Sequence, residues 1–248
     1  MHILTVNEVP QYVLKIDGEL SISLVSQLYQ AYSRSPLLSK LIYSDPANTF
    51  LLYSYVSGTT HYNRGSKVDW MALIVKDLLN QYQIARQTEG WGRLGHLRGS
   101  WHEFNERSLE GARSNLGSVL PIEDYHQVKS LIDGISKVEE KYLLHGDTGV
   151  HNFVFRNNEL VGVNDPSPMV GPVIYDFTYA FCSSPDDLNL ETLFSTFDLL
   201  NDNTLERSRI IKEVLFQLYC RIGICVKVHL HDLHDYLKAW DYWRLFLT

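Results

Sequence analysis

Cysteine is scarce: among 248 residues there are only Cys182, Cys220 and Cys225, spaced too irregularly for a disulfide framework. A reducing compartment is therefore expected. No apolar run approaches the roughly 20 residues that a membrane helix needs. The first residues, Met1 to Glu8, carry neither a basic stretch nor a long apolar one, so no signal peptide is read. Basic charge is also short, with 22 Lys and Arg against 29 Asp and Glu and a net charge of −7. That balance speaks against nucleic acid or a membrane as partner and tilts toward a cationic one, while leaving room for a local phosphate-binding patch. What is present is ordinary globular material, 45% hydrophobic and 21% charged, which excludes disorder. A cytoplasmic protein of one large domain or two lobes is expected, and its oligomeric state is open.

Branched and aromatic residues at 3–6 and 12–16 predict two strands. Ile22, Val25, Leu28 and Tyr29 recur at helical spacing and predict a helix over 20–32. Segments 41–43 and 50–56 predict two further strands around Asp45-Pro46-Ala47-Asn48, making a compact α+β unit. From Val68 onward the chain turns helical, with Trp70, Ile74 and Leu78 on one face. Residues 86–117 are polar with scattered glycines and receive no element. A helix is expected over 125–143, and helices from 190 to the end, with Ile211, Leu215, Leu218 and Ile222 as one stripe. The break at Ser57-Gly58-Thr59-Thr60 divides a small N-terminal lobe, 1–57, from a larger helical lobe, 58–248.

The chemistry concentrates at 145–165. His145-Gly146-Asp147-Thr148-Gly149-Val150-His151-Asn152 precedes two short apolar segments that flank Arg156-Asn157-Asn158-Glu159, a hairpin signature. A hairpin returns the chain to its start, so Asn152 before it and Asp165 after it should lie side by side. An amide oxygen and a carboxylate are hard ligands suited to Mg²⁺, which keeps places for water and phosphate. Asp147 on the same loop can face that spot without being a ligand, as a residue that orients a hydroxyl and takes its proton. Each of these three residues alone is more often a turn former or cap; the joint pattern favours catalysis.

His145-Gly146-Asp147-x-x-x-x-Asn152, with Asn164-Asp165-Pro166 and Gly171-Pro172-Val173-Ile174-Tyr175-Asp176, resembles the aminoglycoside phosphotransferase and choline kinase-like family. The resemblance extends more weakly over most of the chain, including Gly90-Trp91-Gly92 and Ser100-Trp101-x-x-Phe104. It implies the two-lobe, α+β protein-kinase-like fold and a Mg²⁺-dependent transfer of phosphate from ATP or GTP to a hydroxyl of a small molecule, cationic acceptors being favoured by net charge. It implies Asp147 as catalytic base, Asn152 and Asp165 as metal ligands, Lys15 on the nucleotide phosphates, and the backbone of Ser54, Tyr55 and Val56 on the purine edge. His145 and Asp176 would brace the catalytic loop, and Asp186 and Asp187 would form an acidic wall for the acceptor. Three features depart from the family: no glycine precedes Lys15, so the N-terminal lobe is expected to be truncated; no helix glutamate offers itself to Lys15; and Asn164 stands before Asp165 where the family more often has Ile.

Two other classes compete. One is a pseudokinase-type binding module with a degenerate nucleotide site, suggested by the missing glycine loop. The other is a metal hydrolase built on His229, His231, Asp232, His234 and Asp235, against which a solvated helix face is the plainer reading. Cys220 and Cys225 are expected as buried small hydrophobes.

Overall fold

The computed structural model describes residues 1–201 and 204–247. An antiparallel sheet of four strands opens the chain: β1 (His2–Val6), β2 (Val9–Ile16), β3 (Leu41–Ser44) and β4 (Phe50–Ser54), in the order β1-β2-β4-β3. The turn between β1 and β2 is only Asn7 and Glu8, both at positive φ (50° and 67°), the geometry whose twist matches a two-residue hairpin. Helix α1 (Glu19–Ala31) follows β2 and packs against β3 and β4 through Ile22, Val25, Leu28 and Tyr29, with Tyr29 stacked on Tyr53 at 5.4 Å.

After β4 the chain is mostly helical: α2 (Lys67–Asp77), α3 (Trp101–Leu116), α4 (Ile122–Ser130), α5 (Ile132–Ile135), α6 (Val173–Phe181), α7 (Leu190–Phe197), α8 (Arg207–Val228) and α9 (Leu233–Trp243). The long α8 is the centre of this part. Its residues from Val214 to Gly223 are all buried, so it has no polar face there, as expected of a core helix wrapped by neighbours. It packs on α3, α6 and α9. Gly223 lets α8 approach α3 closely, since a Cβ there would sit 2.8 Å from the Cα of Ala112. Trp240 and Trp243 of α9 are buried, and their indole N–H groups donate to Asp124 (2.7 Å) and to the Leu188 carbonyl (2.9 Å).

Short strands position the site. β5 (Gly92–Arg93), β9 (Met169–Gly171) and β6 (Tyr142–Leu144) form a small antiparallel sheet, and β7 (Phe153–Arg156) pairs with β8 (Glu159–Val163). The β7–β8 turn is Asn157-Asn158, both at positive φ, so this hairpin has the form its sequence predicts. The hairpin is tied to the rest of the chain on two sides. Thr59 and Phe155 exchange backbone hydrogen bonds of 2.8 Å, and the Val163 amide donates to the Leu37 carbonyl at 2.7 Å.

The structure corrects two readings. The helix expected over 125–143 ends at Ile135, because 142–144 is drawn into strand β6 by pairing with β9. The segment given no element contains α3, whose core stripe is Trp101, Asn105, Leu109, Ala112 and Leu116. Ser100 caps it, its Oγ accepting from the Glu103 amide at 3.0 Å, while Glu103 accepts from the Gly99 amide at 3.1 Å. A cap of this kind contributes about 1 kcal/mol. Ser100→Ala should lower the unfolding free energy by about that amount in urea denaturation; no change would mean that α3 is held by packing on α8 alone.

Candidate active site

Strand β6 delivers His145 at its end, and the chain then turns sharply. Gly146 sits at φ +77°, and a Cβ there would lie 2.1 Å from the Ser167 carbonyl oxygen, so only glycine fits. The Gly146 amide donates to both carboxylate oxygens of buried Asp176 (3.2 and 3.1 Å). Asp176 also accepts from the Tyr82 hydroxyl at 2.6 Å, which in turn accepts from the His145 amide at 3.1 Å. The Asp176 backbone carbonyl accepts from the Thr148 hydroxyl at 2.7 Å. Burial nevertheless pushes the Asp176 carboxyl up to about 6. Arg93 closes the other side, its Nη1 donating to the carbonyls of Gly146 (2.8 Å) and Ser167 (3.1 Å). The loop is thus held by backbone contacts before any reactive side chain is considered.

Asp147 emerges from this clamp. Its amide donates to His145 Nδ1 at 3.3 Å. Burial pushes the His145 ring down to about 4, so it stays neutral and can accept that bond at neutral pH. The Asp147 carboxylate faces His151 Nε2 at 3.3 Å and accepts from Asn152 Nδ2 at 2.9 Å. Burial works against its charge, but His151 and Tyr179 outweigh it and hold the carboxyl at about 2. Asn152 spends both bonds of its Nδ2 on Asp147, through the carboxylate and the backbone carbonyl (2.9 Å each), which fixes the amide and leaves Oδ1 free to accept.

The hairpin then brings the chain back. Phe153 pairs with Val163, and the Asn164 amide donates to the Asn152 carbonyl at 2.8 Å. Asp165 follows in the left-handed region at φ +50°, a conformation that re-aims its side chain. Its Oδ1 meets Lys15 Nζ at 2.6 Å. Lys15 is 9% exposed on β2, so this ion pair ties the N-terminal sheet to the end of the hairpin. It also answers the question of the lysine's partner: Asp165 is the carboxylate it meets. Around Lys15, Arg93, Asp147 and Asp165 lies an open cavity of about 570 Å³.

The stretch Ser54, Tyr55 and Val56 is only partly available. The Ser54 amide donates to the Lys40 carbonyl and the Tyr55 amide to the Gln11 carbonyl, each at 2.9 Å. The Val56 amide makes no hydrogen bond among the described residues, and the Val56 side chain rests on Gly162 of β8.

A second cavity, about 860 Å³, has Val150 of the Asp147 loop in its lining. Asp186 lines it but is engaged by Arg64 Nη2 at 2.7 Å, and Asp187 is not part of the lining. His229, His231, Asp232 and Asp235 line it as well, yet among the described residues no group of His, Cys, Asp or Glu is arranged to hold a metal ion. Cys182, Cys220 and Cys225 are buried and unpaired with one another.

Residues missed in the sequence are Arg93, Tyr82, His151, Tyr179 and Arg221. Only His151 had a legible signal, its i,i+4 spacing from Asp147. The others are isolated in their segments and converge only through the fold.

No protein-family model and no curated protein sequence matches the chain. Solved structures do. The ADP-bound aminoglycoside phosphotransferase APH(2'')-Ib is 18% identical with a TM-score of 0.57, over 96% of this chain and 88% of that one. A thermostable mutant of aminoglycoside phosphotransferase APH(4)-Ia in complex with AMP-PNP and hygromycin B is 15% identical with a TM-score of 0.60, over 95% and 85%. Choline kinase LicA from Streptococcus pneumoniae is 15% identical with a TM-score of 0.58, over 95% and 85%. The chain therefore has the α+β fold of these small-molecule kinases, with a sheet-rich N-terminal part and a helical C-terminal part.

The clamp makes a pH prediction. The Asp176 carboxyl is raised in the folded state from 3.8 to about 6, so its contribution to stability is fully present below pH ~4 and is lost as pH rises through ~6. Urea unfolding of the wild type and of Asp176→Asn should therefore differ by an amount that changes between pH 4 and 7, with the wild type losing stability relative to the variant. A pH-independent difference would mean that the carboxylate is not penalised by its burial.

Proposed function

We propose that the chain is a Mg²⁺-dependent phosphotransferase that moves the γ-phosphate of ATP or GTP to a hydroxyl of a small molecule. The observation that carries this reading is one cluster: an ionised Asp147 braced by Asn152, with Asn164 bonded to Asn152 at the open end of the hairpin, Asp165 next to it in the chain and Lys15 on Asp165. Asn152 Oδ1 and Asp165 Oδ2 accept no hydrogen bond among the described residues, and hard oxygens of this kind suit a cation that keeps water and phosphate as its other ligands. Asn152 and Asp165 would hold the Mg²⁺, whose charge offsets that of the nucleotide phosphates.

Lys15 would contact the α- and β-phosphates, and the Val56 segment would offer its amide to the purine. Asp147 would orient the acceptor hydroxyl. As the acceptor oxygen bonds to the γ-phosphorus and the bridging β–γ bond breaks, the hydroxyl proton passes to Asp147 and the nucleoside diphosphate leaves. Positioning and charge neutralisation are most of what this reaction requires. His145, Asp176 and Arg93 would keep the loop rigid without touching substrate.

A binding module without turnover is favoured by two observations: the β1–β2 turn is a glycine-free pair of residues, and two of the three amides at Ser54–Val56 are already engaged. Thermal shift with ATP or GTP, with and without Mg²⁺, followed by nucleoside diphosphate release with pooled hydroxy compounds, separates the readings. Shift and release support the kinase; a shift without release supports the module.

Asp147→Asn keeps the shape but removes the proton acceptor. Turnover should fall roughly 10²-fold or more with little change in nucleotide affinity, and equal loss of both would point to a structural role. Asp165→Ala should abolish the Mg²⁺ dependence of nucleotide binding while the chain stays folded. Unchanged dependence in that variant sinks the metal assignment.

A further inference from the structure

The 860 Å³ cavity beside the Asp147 loop is lined by three basic side chains, Arg64, Arg221 and Lys238, and three acidic ones, Asp186, Asp232 and Asp235. Arg64 is paired with Asp186 (2.7 Å) and Lys238 with Asp235 (3.0 Å). Asp232, at the rim with a side chain 37% exposed, lies 3.5 Å from His231. Arg221 differs from all of these. It is 5% exposed, lines the cavity, and has no carboxylate within ion-pair distance among the described residues. Its Nε donates to the Tyr236 hydroxyl (3.0 Å) and its Nη2 to the Ser183 carbonyl (3.1 Å), while Nη1 donates to no group among the described residues. A buried charge without a counter-ion is costly, and such groups are kept where a ligand completes them.

Two neighbouring histidines register the same field. Burial comes first in holding His61 and His229 below their ordinary value, and Arg221 adds to the effect at both while Asp232 opposes it. The cavity also borders the loop that carries Asp147. Val150 of the catalytic loop lines it, and Tyr179 stands close enough to feel both Asp147 and Arg221.

We propose that the acceptor bears a carboxylate as well as its reactive hydroxyl, and that Arg221 receives the carboxylate in this cavity while the hydroxyl meets Asp147. A singly charged group matches one unpaired guanidinium; a phosphate, with close to two charges at neutral pH, would be left half compensated. This runs opposite to the cationic acceptor that the net charge of −7 suggests, because net charge says little about one pocket. The inference rests on the phosphotransfer reading for the role of Asp147, but binding at Arg221 needs no nucleotide.

The test is therefore a binding experiment on the full chain without nucleotide. D-gluconate, D-glucitol and D-glucamine share a chain of hydroxyls and differ in one end group: carboxylate, alcohol or ammonium. The wild type should bind gluconate several-fold more tightly than either of the others, with a binding constant that weakens as salt is raised. Arg221→Gln should erase the preference, Arg221→Lys should keep part of it, and Lys15→Ala should leave it intact, which separates this cavity from the phosphate side. Arg221 also braces Ser183 and Tyr236, so should Arg221→Gln fail to fold, the Arg221→Lys and Lys15→Ala comparisons decide. Equal binding of the three compounds, including none, overturns the proposal, as do tighter glucamine binding and a gluconate preference that survives in folded Arg221→Gln. A Mg²⁺·ATP thermal shift measured on the same samples reports the kinase reading independently, so either claim can fail alone.

Discussion

The amide of Asn164 donates to the carbonyl of Asn152 across 2.8 Å, at the open end of the β7–β8 hairpin, and the candidate site is arranged around that bond. It sets the register Phe153–Val163 and so determines that the residue before one strand and the residue after the other lie at the same place. A slip of one residue would turn every hairpin side chain to the other face. Phe153, Phe155, Leu160 and Val163 are buried, so the core forbids the slip and, with it, any separation of Asn152 from Asn164.

Outside the hairpin, a layer of buried polar contacts converts this backbone geometry into a fixed electrostatic one. Tyr82, Asp176 and Arg93 bind Gly146 and its neighbours through amides and carbonyls, so the loop does not need its reactive side chains to hold its shape. Asp147 is kept charged by His151 and Tyr179 against the cost of burial. Neutral His145 accepts its amide. The two carboxyls behave oppositely, Asp147 held low and Asp176 raised by burial.

Much of this was legible in the sequence where the signal was local. The Asn157-Asn158 turn between apolar pairs announces the hairpin, whose open end joins Asn164 to Asn152. Helix α1 and strands β2 and β4 follow from periodicity. The rest depends on partners distant in the chain. Strand β6 reads as the tail of a helix because what makes it a strand is β9. Helix α3 hides among glycines, although Ser100 and Glu103 at its start are a legible cap. Arg93 and Arg221 carry no motif at all; each matters through the carbonyls, phenols and cavity that the fold brings to it. The amides of Ser54 and Tyr55 look free in sequence and are consumed by Lys40 and Gln11 only once the sheet forms.

The central claim is that the hairpin presents Asn152 and Asp165 to a single metal–phosphate centre while Lys15 reaches the nucleotide from β2. A crystal structure with Mg²⁺ and a non-hydrolysable ATP analogue tests it most directly. The account predicts metal density in contact with both Asn152 Oδ1 and the Asp165 carboxylate, and Lys15 Nζ against a phosphate oxygen. An analogue bound away from these residues, or a metal that touches neither, would contradict it.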